Sequence, residues 1–593
     1  MATIIKENID KLRSWLENNQ LDAFIIPHED EYLGEYLPEH NERLQWISGF
    51  TGSAGVCVVT KTKAAIFVDG RYTVQVTKQA PKALFEYHHL IDEPFLNWIK
   101  QALPKNTRIG FDPKMHKAVW LPAAQEKLAP DYTLQPVTHN PVDILWDERP
   151  KPQLSDMVLM PNDIAGQSSS EKRLLIKEKL NKSGADCAIL TQLDSICWLL
   201  NIRGLDVSRL PVILSHAIIY NTGNVDFFID EQRLADGFHQ HVGTGVNLCP
   251  PDQLEETIRK LKGKRVLLDT SSSNAWFKLQ LQNNGIDIIE SDDPCTLPKA
   301  AKNSLEVKGM KDCHIRDGAA MAKFLCWLDE QTEKKPLPDE ATLSDKLETF
   351  RREDPTLIDL SFDTISAAGS NAAMCHYNHI NQPQPGRLSM NSLYLVDSGG
   401  QYQDGTTDIT RTIAIGSPTH EMKQLFTYVL KGHIALSSTR FPKGTSGHQL
   451  DAIARQFLWA NGFDFDHGTG HGVGHCLSVH EGPQRISKAP NSVALLPGMV
   501  ISNEPGYYRE NQFGIRIENL VLVTDVTTEG DQNMLKFYPL TRCPIDTRAI
   551  DITLLTTDEK RWLNAYHQQV WLDVSPLLSE KERNWLKNAT ATI

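Results

Sequence analysis

The residues that could do chemistry gather in the second half of the chain. Leu393–Asp397 is a short apolar run ending in an acid, and Thr406–Ile413 is a second run carrying Asp408. The Gly-bearing stretch between them predicts a hairpin with the two carboxylates on neighbouring strands, facing each other. Aligned carboxylates repel unless a cation lies between them, although each alone could equally be a turn aspartate. Downstream, His467, His471, His475 and His480 crowd into one glycine-rich stretch, in a chain with 20 histidines among 593 residues. The interleaved glycines would let imidazoles converge from a loop. A third piece, Val500–Tyr508, is a strand end carrying Glu504 and stopped by Pro505. Phe513–Val523 then reads as one strand, with Arg516 and Glu518 on a shared face. A charged face in an apolar strand is costly to bury unless paired, and an Arg–Glu ion pair is its simplest explanation.

Together Asp397, Asp408, Glu504 and Glu518 supply four carboxylates, enough to neutralise two divalent cations, and a histidine supplies nitrogen. Which histidine does so stays open at this point. Oxygen-rich, nitrogen-poor donors suit Mn²⁺, Co²⁺ or Zn²⁺. Two such ions would bridge a water and lower its pKa. A glutamate could pass that water's proton to a leaving amine, and free histidines could polarise a carbonyl. This is equipment for metal-assisted amide hydrolysis.

The elements that must position these groups are α/β in character. A chain this long predicts two or three domains. In the first third, the run Leu21–Ile26 reads as a buried strand, and Gly55–Val59 with Ala64–Val68 as a strand pair. A related arrangement recurs around Ala188–Leu190, and Trp46…Gly52 is echoed by Trp198…Gly204, which suggests an internal duplication. Charged, Pro-rich seams lie at Asp147–Gln153 and Ser291–Pro298. The domains are placed at 1–145, 150–297 and 300–593. Ser304 is the expected N-cap of a long helix, with Glu306 one position early for a capping box. The segment after Asp558 reads as helical, with no function assigned to it.

The formal net charge is −13, and no run of Lys/Arg offers a basic face for nucleic acid. No apolar stretch approaches a membrane span, and the start has no secretory pattern, so a cytoplasmic location is expected. Ten scattered cysteines without a CxxC pair fit reduced thiols.

Three wordings carry a resemblance: VDSGGQYQDGTTDITRT at Val396–Thr412, HGTGHGVGHCLSVHEGP at His467–Pro483, and NEPGYY with FGIRIEN at Asn503–Asn519. The chain resembles the pita-bread metallopeptidases, and among them the long, three-domain cytosolic form of aminopeptidase P. SGFTGSAG at Ser48–Gly55, DGRY at Asp69–Tyr72 and TISAAGSNAAMCHY at Thr364–Tyr377 extend the likeness over essentially the whole chain. The resemblance implies two related creatinase-N-like α/β domains followed by a pita-bread catalytic domain. It implies five metal ligands, Asp397, Asp408, His471, Glu504 and Glu518, holding two divalent ions, most plausibly Mn²⁺. Glu504 would shuttle a proton, and His376, His467 and His480 would surround the substrate. Arg71 would hold the peptide, and Arg516 would orient an acidic ligand. His475 departs from the family, where a small residue is usual, and is read as structural.

The implied activity removes the first residue of peptides with proline second, with the trans isomer expected as substrate, and relatives are usually homodimers. An Xaa-Pro dipeptidase shares the metal site but carries one preceding α/β domain rather than two. Methionine aminopeptidase lacks both. An inactive peptide-binding relative, or a metal-free creatinase-like hydrolase, would lack these acids.

Overall fold

The computed structural model describes residues 2–382 and 384–593. They form two compact units. The first runs to Leu159 and includes Gln167–Ser208 and Val212–Cys295; the second comprises Met160–Gly166, Arg209–Pro211 and Thr296–Ile593.

The first unit holds two six-stranded sheets. One contains β1 (Ala23–Pro27), β2 (Val56–Thr60), β3 (Ala64–Val68), β4 (Glu86–His89), β5 (Thr107–Phe111) and β6 (Tyr132–Pro136), in the order β4-β3-β2-β1-β5-β6. The other contains β7 (Cys187–Leu190), β8 (His216–Tyr220), β9 (Val225–Phe228), β10 (Val246–Cys249), β11 (Arg265–Leu268) and β12 (Asp287–Glu290), in the order β10-β9-β8-β7-β11-β12. The two orders are the same once each sheet is counted from its first strand. The pairing directions match as well: first with second antiparallel, first with fifth parallel, in both sheets. The duplication suggested by the two Trp…Gly echoes is therefore a duplication of topology. Central strand β1 is apolar throughout because helices cover both of its faces. Phe24 and Ile26 pack with Ile5, Ile9, Leu12 and Leu16 of the N-terminal helix, while Ala23 and Ile25 pack with Ile99, Leu121 and Leu128 on the other side.

The longest helix of the second unit is α1 (Ser304–Thr332), whose N-cap is Asn303 rather than Ser304. Asn303 accepts from the Glu306 backbone while Glu306 reaches back to the Asn303 N–H, so the capping box is complete one position earlier than expected. The asparagine carbonyl does what a serine hydroxyl would have done. A three-stranded sheet β13-β14-β15 comprises Ile365–Ala368, Ser392–Ser398 and Ile409–Ile415. A six-stranded sheet, in the order β16-β23-β22-β19-β17-β18, comprises β16 (Arg440–Pro442), β17 (Gly470–Gly472), β18 (Glu481–Ile486), β19 (Val500–Asn503), β22 (Asn519–Val526) and β23 (Met534–Pro539). Between them lies a hairpin of β20 (Gly506–Arg509) and β21 (Phe513–Arg516). Helices α2 (His420–Ser438), α3 (Asp451–Trp459), α4 (Thr557–Val574) and α5 (Glu580–Ala589) pack around these sheets.

Three strand expectations change. Phe513–Val523 is two strands, because the chain leaves the β20–β21 hairpin after Arg516 and enters the large sheet at Asn519, leaving Glu518 at the crossing. Glu504 falls just after β19. Asp408 precedes β15, and Asp397 pairs with Thr410, so the two aspartates are offset along the ladder rather than opposed.

None of Gly468, Gly470, Gly472 or Gly474 adopts a positive φ; the glycines serve close approach instead. A Cβ on Gly470 would lie 2.0 Å from the Ser502 carbonyl oxygen, and one on Gly472 would lie 2.2 Å from that of Glu481. Gly472→Ala is expected to cost about 3 kcal/mol, the upper range for forcing volume into a packed interior. A guanidinium unfolding midpoint measured with chelator present, equal to that of the parent, would refute this reading of the glycine.

Candidate metal centre

Strand ends and sheet crossings deliver the acids to one place. Asp397 comes from β14, Asp408 from the residue before β15, Glu504 from the residue after β19, and Glu518 from the crossing between β21 and β22. His471 projects from the middle of β17, so the fourfold histidine stretch is partly strand rather than loop. One ligand atom from each of Asp408, His471 and Glu518 lies within 4.8 Å of the others. His471 Nε2 is 3.4 Å from Asp408 Oδ2 and 3.5 Å from Glu504 Oε1. Asp397, Asp408 and Glu518 are buried.

Local bonds fix how each group points. His471 Nδ1 is 3.0 Å from the Gly472 carbonyl; a carbonyl only accepts, so Nδ1 carries a proton, and Nε2 faces the acids as the atom that would bind a metal once deprotonated. The Ser502 hydroxyl accepts from the His471 N–H at 2.9 Å and donates to Glu504 Oε1 at 3.1 Å. Thr410 donates to Glu518 Oε2 at 2.7 Å. Arg516, expected to pair with Glu518, instead binds Asp397 Oδ2 at 2.6 Å, and also donates to Thr410 Oγ1 at 3.1 Å and Tyr508 OH at 2.6 Å.

The electrostatics state what is missing. Burial raises the Glu518 carboxyl well above the usual range, and the Asp408, Glu504 and Asp397 charges add to the shift. Burial raises Glu504 as well. Asp397 sits at about 6, pushed up by burial and by Asp408 and Glu504 despite Arg516. Burial opposes the His471 cation, yet Asp408 and Glu504 outweigh it and lift the ring to about 9. Asp397 Oδ1 is buried without a hydrogen-bond partner among the described residues. Four crowded carboxylates, an orphaned oxygen and an imidazole whose Nε2 faces them fit divalent cations: the ions would displace the protons held there and satisfy lone pairs that no protein donor reaches.

Of the remaining candidates, His480, His467 and His376 lie around this cluster. His480 is exposed, its ring centroid 4.4 Å from that of His471 and edge-on to it. His467 Nδ1 contacts the Gly468 carbonyl at 2.8 Å, so Nε2 accepts from Tyr508 OH at 2.8 Å. Burial, with Arg516 beside it, pushes His467 down to about 3, so it is neutral at ordinary pH. His376 is half-buried and near enough to oppose protonation of His467. Phe465, 4.8 Å from the His467 ring, and Tyr508, 5.3 Å from it, complete an aromatic wall. His475 is buried, with Nε2 against Gly309 at the start of α1. Arg71 belongs to the first unit, where Asp69 holds its guanidinium at 2.7 Å.

Sequence reasoning missed Thr410, Ser502, Tyr508 and the buried pair behind the histidine stretch. Arg455 of α3 donates to the His467 carbonyl at 2.8 Å and to Asp451 at 2.7 Å, and Asp451 accepts from Thr469 at 2.6 Å. Arg455 left no sequence signal, because a charged residue on a surface helix is ordinary.

Comparison with known proteins agrees with this architecture. The pattern of metallopeptidase family M24 matches residues 308–525, and that of the M24 C-terminal region matches 533–593. The creatinase/prolidase N-terminal domain matches twice, at 8–145 and 148–306. A "Probable Xaa-Pro aminopeptidase P" of Coprinopsis cinerea is 38% identical over 98% of this chain and 97% of its own length. One from Sordaria macrospora is 40% identical over 96% of each. The crystal structure of the X-prolyl aminopeptidase of Caenorhabditis elegans, described as a cytosolic enzyme with a di-nuclear active site, superposes with TM-score 0.94. It is 33% identical and covers 99% of this chain and 100% of its own. An Xaa-Pro dipeptidase from Bacillus anthracis covers only 64% of this chain, with TM-score 0.52 and 23% identity, a likeness of fold.

Raised carboxyls have a signed consequence. The unfolded chain's Glu518 gives up its proton near 4.5, while the folded, metal-free protein keeps it to much higher pH. Between those limits the native state binds more protons, so its stability falls as pH rises. Metal-free Glu518→Gln is therefore expected to be more stable than metal-free parent at pH 8. Above about pH 4.5 the gap widens by up to about 1.4 kcal/mol per pH unit. Parallel denaturant titrations at pH 5 and 8 check this; a gap that shrinks with pH would contradict it. The same variant is expected to lose most of the melting-temperature gain that added Mn²⁺ gives the parent, read by calorimetry.

Proposed function

Because the chain belongs to the aminopeptidase P branch of metallopeptidase family M24, we propose that it is a metal-dependent Xaa-Pro aminopeptidase, releasing the N-terminal residue from peptides with proline second. The observation carrying this reading is the cluster of four carboxylates, three of them buried and Glu504 half-buried, with half-buried His471, set in a chain alike from end to end to Xaa-Pro aminopeptidases. Two divalent ions, proposed to be Mn²⁺, would supply a water acidified enough to ionise near neutral pH and a Lewis acid for the scissile carbonyl.

The chain's own groups supply the rest. We assign Asp397, Asp408, His471, Glu504 and Glu518 as the residues holding the metals. Glu504 Oε1, steadied by the Ser502 hydroxyl and raised in proton affinity by burial, takes the proton of the attacking water and returns it to the departing proline nitrogen. His480 and His376 are assigned to the carbonyl oxygen as negative charge develops on it. Neutral His467, with Phe465 and Tyr508, is assigned to the pyrrolidine ring. Proline offers no N–H after the scissile bond and fixes φ, so a site that reads the ring's shape gains what peptidases gripping an N–H lose. Arg71 is assigned to the peptide on the family likeness. A homodimer and a cytoplasmic location complete the proposal; among the described residues no helix is long and apolar enough to cross a membrane.

Metal-stripped protein with Mn²⁺ restored should release arginine from Arg-Pro-Pro but not from Arg-Ala-Ala, and leave the dipeptide Arg-Pro intact. Cleavage of the dipeptide alone would make the protein a dipeptidase. His480→Ala should lower kcat roughly 100-fold or more while Mn²⁺ binding stays as in the parent; a parental kcat would remove His480 from the chemistry.

A further inference from the structure

Arg411 stands on β15 between Thr410 and Thr412, and along a strand neighbours point to opposite faces. Thr410 points its hydroxyl at Glu518, and Arg411 points away, behind the metal ligands. It is one of the largest fully buried side chains in the protein. Its Nη1 donates to the Glu518 carbonyl at 2.6 Å and to the Thr410 carbonyl at 2.9 Å. Nη2 reaches Asn519 Oδ1 at 2.9 Å, the Cys543 carbonyl at 2.8 Å and Tyr566 OH at 3.0 Å, and Nε reaches the Pro544 carbonyl at 3.0 Å. None of these acceptors is a carboxylate. His433 and His567 nearby are held neutral by burial, with Arg411 adding to the effect. A buried cation whose hydrogen-bond acceptors are all neutral, carbonyls and one hydroxyl, is expensive, and its geometry is correspondingly demanding.

Tyr566 comes from α4 in the C-terminal segment to which no function had been assigned. Its hydroxyl accepts from Arg411 and lies 2.9 Å from the Cys543 carbonyl, to which it donates. Glu518 is thus gripped twice: at Oε2 by Thr410 from the front, and at its carbonyl by Arg411 from the rear, with Tyr566 bracing the guanidinium.

We infer that Arg411 and Tyr566 are positioning residues for the metal centre, making the C-terminal helix α4 part of the machinery that aims Glu518; this rests on the assignment of Glu518 as a metal ligand. The grip acts on metal affinity, since a ligand whose backbone can swing loses the geometry that two ions require. Residues holding metal ligands in place typically contribute a factor of roughly 10–100 in affinity.

The test compares full-length parent with Tyr566→Phe, Arg411→Lys and Val570→Ala. Val570 is buried on the same helix and has no polar side-chain atom, so it reports the cost of merely loosening α4. Mn²⁺ affinity is measured by isothermal titration at 20 °C, below the metal-free melting temperature of each variant, alongside kcat and KM on Arg-Pro-Pro. Tyr566→Phe should bind Mn²⁺ at least about three-fold more weakly and Arg411→Lys about ten-fold or more. KM should be parental, kcat low at limiting Mn²⁺ and restored at excess, and Val570→Ala should bind as the parent does. If Arg411→Lys fails to fold, Tyr566→Phe carries the test. Parental affinity in the folded variants, or equal weakening in Val570→Ala, overturns the inference while leaving the peptidase reading intact. A parent that binds no metal overturns both.

Discussion

Mutual repulsion among four crowded carboxylates, three of them buried and one half-buried, is the constraint around which the second unit is built. Asp397, Asp408, Glu504 and Glu518 converge where water cannot screen them, and burial drives the proton affinity of Glu504 and Glu518 upward together. A fold that carries such a cluster must hold it shut against its own charge. The interior does so with directional bonds rather than with counter-charge alone. One guanidinium, Arg516, meets Asp397 directly; Glu518 and Glu504 are held by hydroxyls, and His471 by a carbonyl. Neutral donors orient the carboxylates without adding counter-charge, which suits a cluster whose charge divalent cations would balance.

The same constraint explains the local architecture. Each proposed ligand sits at the end of a strand or at a crossing between sheets, except His471, which needs glycine on both sides so that neighbouring strands can close on it. At a crossing, a residue is released from the in-out alternation of a ladder. Glu518 can therefore aim its carboxylate forward while its carbonyl is bound from behind. The wall around His467 obeys a different rule: its polar atoms are spent on Gly468 and Tyr508, leaving an uncharged surface beside a highly charged one.

Much of this was legible in the chain. Acids at the ends of apolar runs and histidines packed among glycines announce themselves because they are statistically out of place. The repeated α/β arrangement of the first unit was legible for a similar reason, since the same Trp…Gly spacing precedes matching strand pairs. What stayed hidden depends on partners distant in sequence. Arg411 carries the same signal as Arg516, a cation in a β-branched strand, but only folding reveals that most of its acceptors lie more than a hundred residues away and that none is a carboxylate. The break at Ile517 was invisible because both halves of Phe513–Val523 favour extended backbone; which sheet each half joins is decided by tertiary pairing.

The brace formed by Tyr566 also sets an order of events in synthesis. It lies 155 residues after the arginine it holds, a stretch that a ribosome adding roughly 5–20 residues per second takes on the order of ten to thirty seconds to complete. Only for the last 48 residues of that stretch, from Glu518 to Tyr566 and about two to ten seconds at the same rate, does the nascent chain have its acids and histidine but not the helix that aims one of them. On the inferred role of Tyr566, metal choice is deferred until that residue has been made and α4 has docked, when the assembled geometry, rather than whichever ion first meets a loose set of carboxylates, decides what is retained.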